Sequence, residues 1–174
     1  MADGVCAQMA RDGNLEGLKA ARQNGSPWDK WTCTYAAYRG HLPVLQWARQ
    51  NGCPWNEATC SSAALGGHLP VLQWARQNGC PWEEETCTNA ARGGHLPVLQ
   101  WARQNGCPWD EKGIQYQLQN PSHQLHNFYG PRRWLERELN IVWSSSIVQW
   151  MDATDTVLDA MLISDLSSLI KKYV

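Results

Sequence analysis

The side chains able to do chemistry in this chain are seven cysteines and five histidines, and their spacing limits what that chemistry can be. All seven Cys fall in two columns with a 27-residue interval, Cys6/Cys33/Cys60/Cys87 and Cys53/Cys80/Cys107. Zinc and related ions need clustered ligands such as Cys-x2-Cys, and no such cluster occurs. The long interval instead gives each thiol the same slot in successive units, where it is expected to act as a small buried apolar residue. An odd Cys total, with no apolar leader in MADGVCAQMARDG, points to a reducing compartment. His41, His68 and His95 recur with the same period, each after a Gly and ahead of a Pro-bearing turn. A ring there is expected to hydrogen-bond the neighbouring turn rather than act as a general base. Asn14 holds that place in the first copy, so its amide is expected to do the same job. His123 and His126 stand at i, i+3 without a carboxylate or Cys beside them. No Gly-rich phosphate loop and no GxSxG stretch is present, and Ser144-Ser145-Ser146 reads as an N-cap run. The expectation is a protein with no catalytic residue, no metal ligand and no cofactor.

The elements that position these residues come from a repeat. The 15-residue string HLPVLQWARQNGCPW occurs verbatim three times, from His41, His68 and His95, and NLEGLKAARQNGSPW from Asn14 is a degraded copy. Seven of the 11 Trp belong to this register: Trp28, Trp55, Trp82 and Trp109 in one column, Trp47, Trp74 and Trp101 in another. Such a period marks a stacked solenoid, in which each unit buries its apolar face only against its neighbours. One unit reads as two short helices. Asn56 is placed to cap Glu57–Leu65, and the small column Cys60, Ala63, Ala64 lets another helix approach closely. Gly66-Gly67 stop that helix, and the second begins near His68-Leu69 with Pro70 in its first turn. Val71, Leu72, Trp74 and Ala75 form its apolar stripe, Asn78-Gly79 end it, and Cys80-Pro81-Trp82 is an extended connector. Trp and thiol side chains are expected in the seams, and no residues are left over for a strand.

Charge removes several classes of partner. Lys+Arg number 15 against 16 Asp+Glu, and neither residues 1–112 nor residues 113–174 carry a positive excess, so no nucleic-acid partner is expected. No apolar run reaches the 18 or so residues of a membrane span. A cytoplasmic protein without a small-molecule substrate is the expectation.

The run Ala90-Ala91-Arg92-Gly93-Gly94-His95-Leu96-Pro97-Val98-Leu99, followed by Gln104-Asn105-Gly106-Cys107, resembles the core of an ankyrin repeat. The Ala-Ala pair, Gly-His turn, Val-Leu pair and Asn-Gly ending stand at that family's spacings. Ankyrin repeats normally have 33 residues, so each unit here is shorter, and the loss falls where the family carries its β-hairpin finger. The family's Thr-Pro-Leu-His start is replaced by Glu85-Thr86-Cys87-Thr88 and its equivalents. The pattern GHLxVLxWARxNGCPW is similar to short, hairpin-less ankyrin-like repeats of large DNA viruses and protists. The resemblance implies an all-α ankyrin-like solenoid of about four helix-turn-helix units over residues 1–112. It also implies a protein–protein interaction module whose first helices line a concave binding face.

Comparing the copies shows where a partner would be read. The second helix is identical in three units, whereas the first helix and its flanks vary. The varying positions form a spine of Tyr35, Tyr38, Arg39, Leu65, Asn89 and Arg92, with an acidic patch at Glu83, Glu84 and Glu85. Tyr and Arg are frequent interface anchors. These residues are the candidate partner-binding set, for a protein of unknown identity, in a monomer or weak oligomer.

Residues 113–174 leave the register, with helical stretches expected at 131–139, 146–162 and 164–173. The expectation is a helical cap covering the open end of the stack. LISDLSSLIKKYV also resembles the opening helix of an F-box, which would imply an adaptor delivering a bound protein to ubiquitin machinery. A structural role, in a virion or an oligomer, is the remaining alternative.

Overall fold

The computed structural model describes residues 4–110 and 112–114. The stretches expected to be helical beyond residue 130, the His123/His126 pair, Ser144–Ser146, the cap and the F-box-like segment lie outside the described residues. Among residues 4–110, eight helices follow one another: α1 (Val5–Arg11), α2 (Leu15–Gln23), α3 (Lys30–Tyr38), α4 (Leu42–Gln50), α5 (Glu57–Leu65), α6 (Leu69–Gln77), α7 (Glu84–Arg92) and α8 (Leu96–Gln104). There is no strand among the described residues. Each odd-numbered helix packs on the even-numbered helix that follows it, and the odd-numbered helices also pack on one another in order. This is a single-direction stack of four helix pairs, the all-α solenoid expected from the period.

Small residues explain the tight row of first helices. Ala36, Ala37, Ala63, Ala64, Cys33 and Cys60 are all completely buried, so the α3 and α5 backbones approach closely with no bulky side chain between them. The second helices supply the larger apolar volume. Leu45, Leu72 and Leu99 have no exposed surface, and each burial is worth roughly 2–3 kcal/mol.

Both helix ends are set by backbone hydrogen bonds around one glycine. At the end of α5, Gly67 takes φ +76° and the next amide, His68 N–H, donates to Ala63 O at 2.9 Å. This left-handed C-terminal turn satisfies carbonyls that the helix leaves open. Expected and observed helices coincide here, but two caps differ from expectation. Asn56 stands at the N-cap of α5 without a side-chain capping bond; its amide donates to Glu57 Oε1 at 3.0 Å. Asn14 does cap, accepting from Gly17 N–H at 2.7 Å, whereas His41, His68 and His95 do not.

The histidines instead join units. His41 Nε2 bonds Arg11 O at 3.2 Å, His95 Nε2 bonds Leu65 O at 3.1 Å, and His68 bonds Tyr38 O. Each imidazole thus reaches the last carbonyl of the first helix one unit earlier. The side chain of Asn14 instead turns back onto its own helix, accepting from Gly17 N–H.

Candidate partner-binding face

The spine residues lie along the row α1–α3–α5–α7 and are positioned by their helix register. The last residue of each first helix forms one column, Arg11, Tyr38, Leu65 and Arg92. One turn earlier, at i−3, lie Gln8, Tyr35, Ser62 and Asn89. The two columns share a face, as residues three apart on a helix must.

Aromatic and cationic side chains meet at the α1/α3 end. Asp29 Oδ1 caps α3 by accepting from Trp31 N–H at 3.0 Å, which sets Trp31 in the first turn. Trp31 then stacks on Tyr35 one turn later, ring centroids 6.0 Å apart. The Arg11 guanidinium lies 4.3 Å from the Tyr35 ring centroid, and Arg39 lies 5.6 Å from that of Tyr38. Trp31 and Tyr38 remain 47% and 41% exposed, unusual for rings of that size. Arg39 and Arg92 are exposed, and Tyr35 and Leu65 are half-buried. Glu83, Glu84 and Glu85 are exposed around the start of α7, where the positive end of the helix dipole favours them.

Asn89 departs from the spine. It is only 6% exposed, and its Oδ1 is buried without a hydrogen-bond partner. A side chain so enclosed offers little to a partner. Two residues absent from the expected spine lie against it, Arg11 and Trp31, each in contact with the Tyr35 ring. Both signals were present in sequence: Arg11 heads the Tyr38 column, and Trp31 stands at i−4 from Tyr35.

The opposite face carries a second aromatic system, which holds the connectors. Trp28 meets Trp47 edge to face at 5.9 Å, and Trp55–Trp74 and Trp82–Trp101 repeat that geometry at the same distance. Arg49 lies 4.2 Å from the Trp55 centroid and donates to Cys53 O; Arg76 does the same with Trp82, at 4.1 Å, and Cys80 O. The WARxNGCPW string is thus a staple in which Arg caps its helix end and props the Trp that packs against the next unit. These tryptophans are half-buried, not hidden in the seams as expected, because each lies over the staple rather than beneath it.

Within the described residues, no three His, Cys, Asp or Glu side chains are close enough to hold a metal ion, and no helix is long and apolar enough to cross a membrane. Residues 33–76, from mid-α3 to the last turn of α6, match the family model described as ankyrin repeats (many copies). This stretch of the chain is similar to ankyrin repeats. No curated protein matches the chain. The helix pairs form an all-α, ankyrin-like solenoid, with a connector and an Arg–Trp staple between units. Ankyrin repeats are generally protein–protein interaction modules and typically act as non-catalytic scaffolds.

Proposed function

We propose that this ankyrin-repeat solenoid binds a protein partner along its first-helix row, with Trp31, Tyr35, Tyr38, Arg11, Arg39 and Arg92 as the contact set. Leu65, Glu84 and Glu85 extend that surface toward α7. The observation that carries this reading is the pair of large exposed rings, Trp31 and Tyr38, with cations against the neighbouring aromatics on one face. Packing does not require them there, since the equivalent positions hold Ala58 and Leu65 in one unit and Glu85 and Arg92 in the next. Stacked helices hold the contact residues in place before binding, which lowers the ordering cost of association. The odd number of cysteines supports a reducing compartment such as the cytoplasm.

The test is affinity capture with the full chain, comparing wild type with Tyr38→Ala/Arg92→Ala and with Gln50→Ala/Gln77→Ala on the second helices. The first pair should lose a partner that wild type retains, and the second should keep it. Loss only on the second-helix side would move the interface to the other face and defeat the proposal.

A further inference from the structure

The two cysteine columns, separate in sequence, meet in space. In each full unit the first-helix thiol hydrogen-bonds the thiol preceding the connector proline: Cys33 with Cys53, Cys60 with Cys80, and Cys87 with Cys107. Backbone geometry shows the same approach, with Cys60 Sγ 4.0 Å from Cys80 O. In the leading unit Cys6 Sγ lies 3.7 Å from Ser26 O, so a hydroxyl residue stands where the other units carry the second thiol. All seven sulfurs are free and at most 3% exposed.

The surroundings of the connector thiol are those of a nucleophile. Cys53, Cys80 and Cys107 each donate to the N-cap carbonyl of their own unit, at 3.4, 3.3 and 3.4 Å. The Cys33 thiol, the Thr32 hydroxyl and the Arg49 guanidinium surround Cys53. The Thr32, Thr59 and Thr86 hydroxyls are completely buried and make no hydrogen bond of ordinary geometry. A buried hydroxyl left without a partner is costly, and those of Thr32 and Thr86 lie beside the Cys53 and Cys107 sulfurs. These donors hold the Cys53 and Cys107 thiols below the ordinary range. Donation to that partner, together with burial, pushes Cys33 and Cys87 up.

We infer that each of the three pairs is a disulfide-forming site, giving the solenoid a dithiol form and a three-bridge form of one fold. The connector thiol loses its proton and attacks a small-molecule disulfide, whose S–S bond breaks to release one thiol. The first-helix thiol then loses its proton and attacks the mixed disulfide, forming the Sγ–Sγ bond and releasing the second thiol. Two electrons pass to the reagent, and both protons end on its two thiols. Local opening of the connector admits the reagent.

The experiment incubates the full chain with oxidised glutathione at neutral pH, alkylates the remaining thiols and maps bridges by peptide mass spectrometry. Free thiols should fall from seven to one, with Cys6 remaining, while the helical circular dichroism signal is unchanged. Ser26→Cys should add a fourth bridge, from Cys6 to position 26. Thr32→Val should slow the Cys33–Cys53 bridge several-fold against Cys87–Cys107 in the same molecule. Bridges crossing between units, loss of helical signal on oxidation, seven persistent thiols, or a Ser26→Cys chain that leaves Cys6 free would each overturn the inference.

Discussion

Replacing either of two glycines in one repeat by alanine separates backbone strain from the histidine contact between units. Gly67 and Gly79 have almost the same left-handed backbone, φ +76° and +80°, but different neighbours. A Cβ on Gly79 meets nothing within 4 Å, whereas one on Gly67 would lie 2.5 Å from the His95 Cε1 and Nδ1 atoms. Gly79→Ala should therefore cost about 1 kcal/mol, the penalty of a left-handed L-residue. Gly67→Ala bears the same penalty and must also displace His95 from its bond to Leu65 O, adding roughly 2 kcal/mol of overpacking and lost hydrogen bonding. Urea unfolding of both variants, with an unchanged slope as the check on cooperativity, should give losses of about 1 and about 3 kcal/mol. In a His95→Ala background the cost of Gly67→Ala should drop to that of Gly79→Ala, a coupling of roughly 2 kcal/mol. Equal losses for the two glycines, or no coupling, would show that the histidine column does not lock one unit onto the next.

Two further outcomes follow from the same contacts. Burial lowers the proton affinity of His68 and His95 below the ordinary value of 6.5, so the unfolded chain takes up protons first as pH falls. The stability they confer is full above pH 6.5 and declines as pH drops through the lower folded-state values; denaturation midpoints between pH 8 and 5 should show this, and His68→Gln/His95→Gln should flatten the profile. Arg76→Lys keeps the charge but loses the planar group that props Trp82 and bonds Cys80 O, and should cost about 1 kcal/mol by urea unfolding; an unchanged midpoint would show the staple to be ornamental.

The proposed binding surface was only partly readable before the fold. Tyr38, Arg39 and Arg92 are exposed at the ends of the first helices, as that proposal requires. Asn89 looked equivalent, yet it is enclosed at the register position where Tyr35 stays half-buried. Trp31 was visible as a variable residue, and only its stacking on Tyr35 ties it to the same cluster.

Helix boundaries, the direction of stacking and the buried columns were settled by the sequence itself, because glycine stops, Pro-bearing starts and small residues at i, i+3, i+4 act within one turn of the chain. The meeting of the two thiol columns, the half-exposed Arg–Trp staples and the histidine reach into the preceding unit were decided only by tertiary structure. Cys33 and Cys53 stand 20 residues apart and His41 and Arg11 stand 30 apart, and no local propensity acts over such intervals. Such contacts depend on the distance and rotation between packed helices, quantities that exist only once the units are stacked.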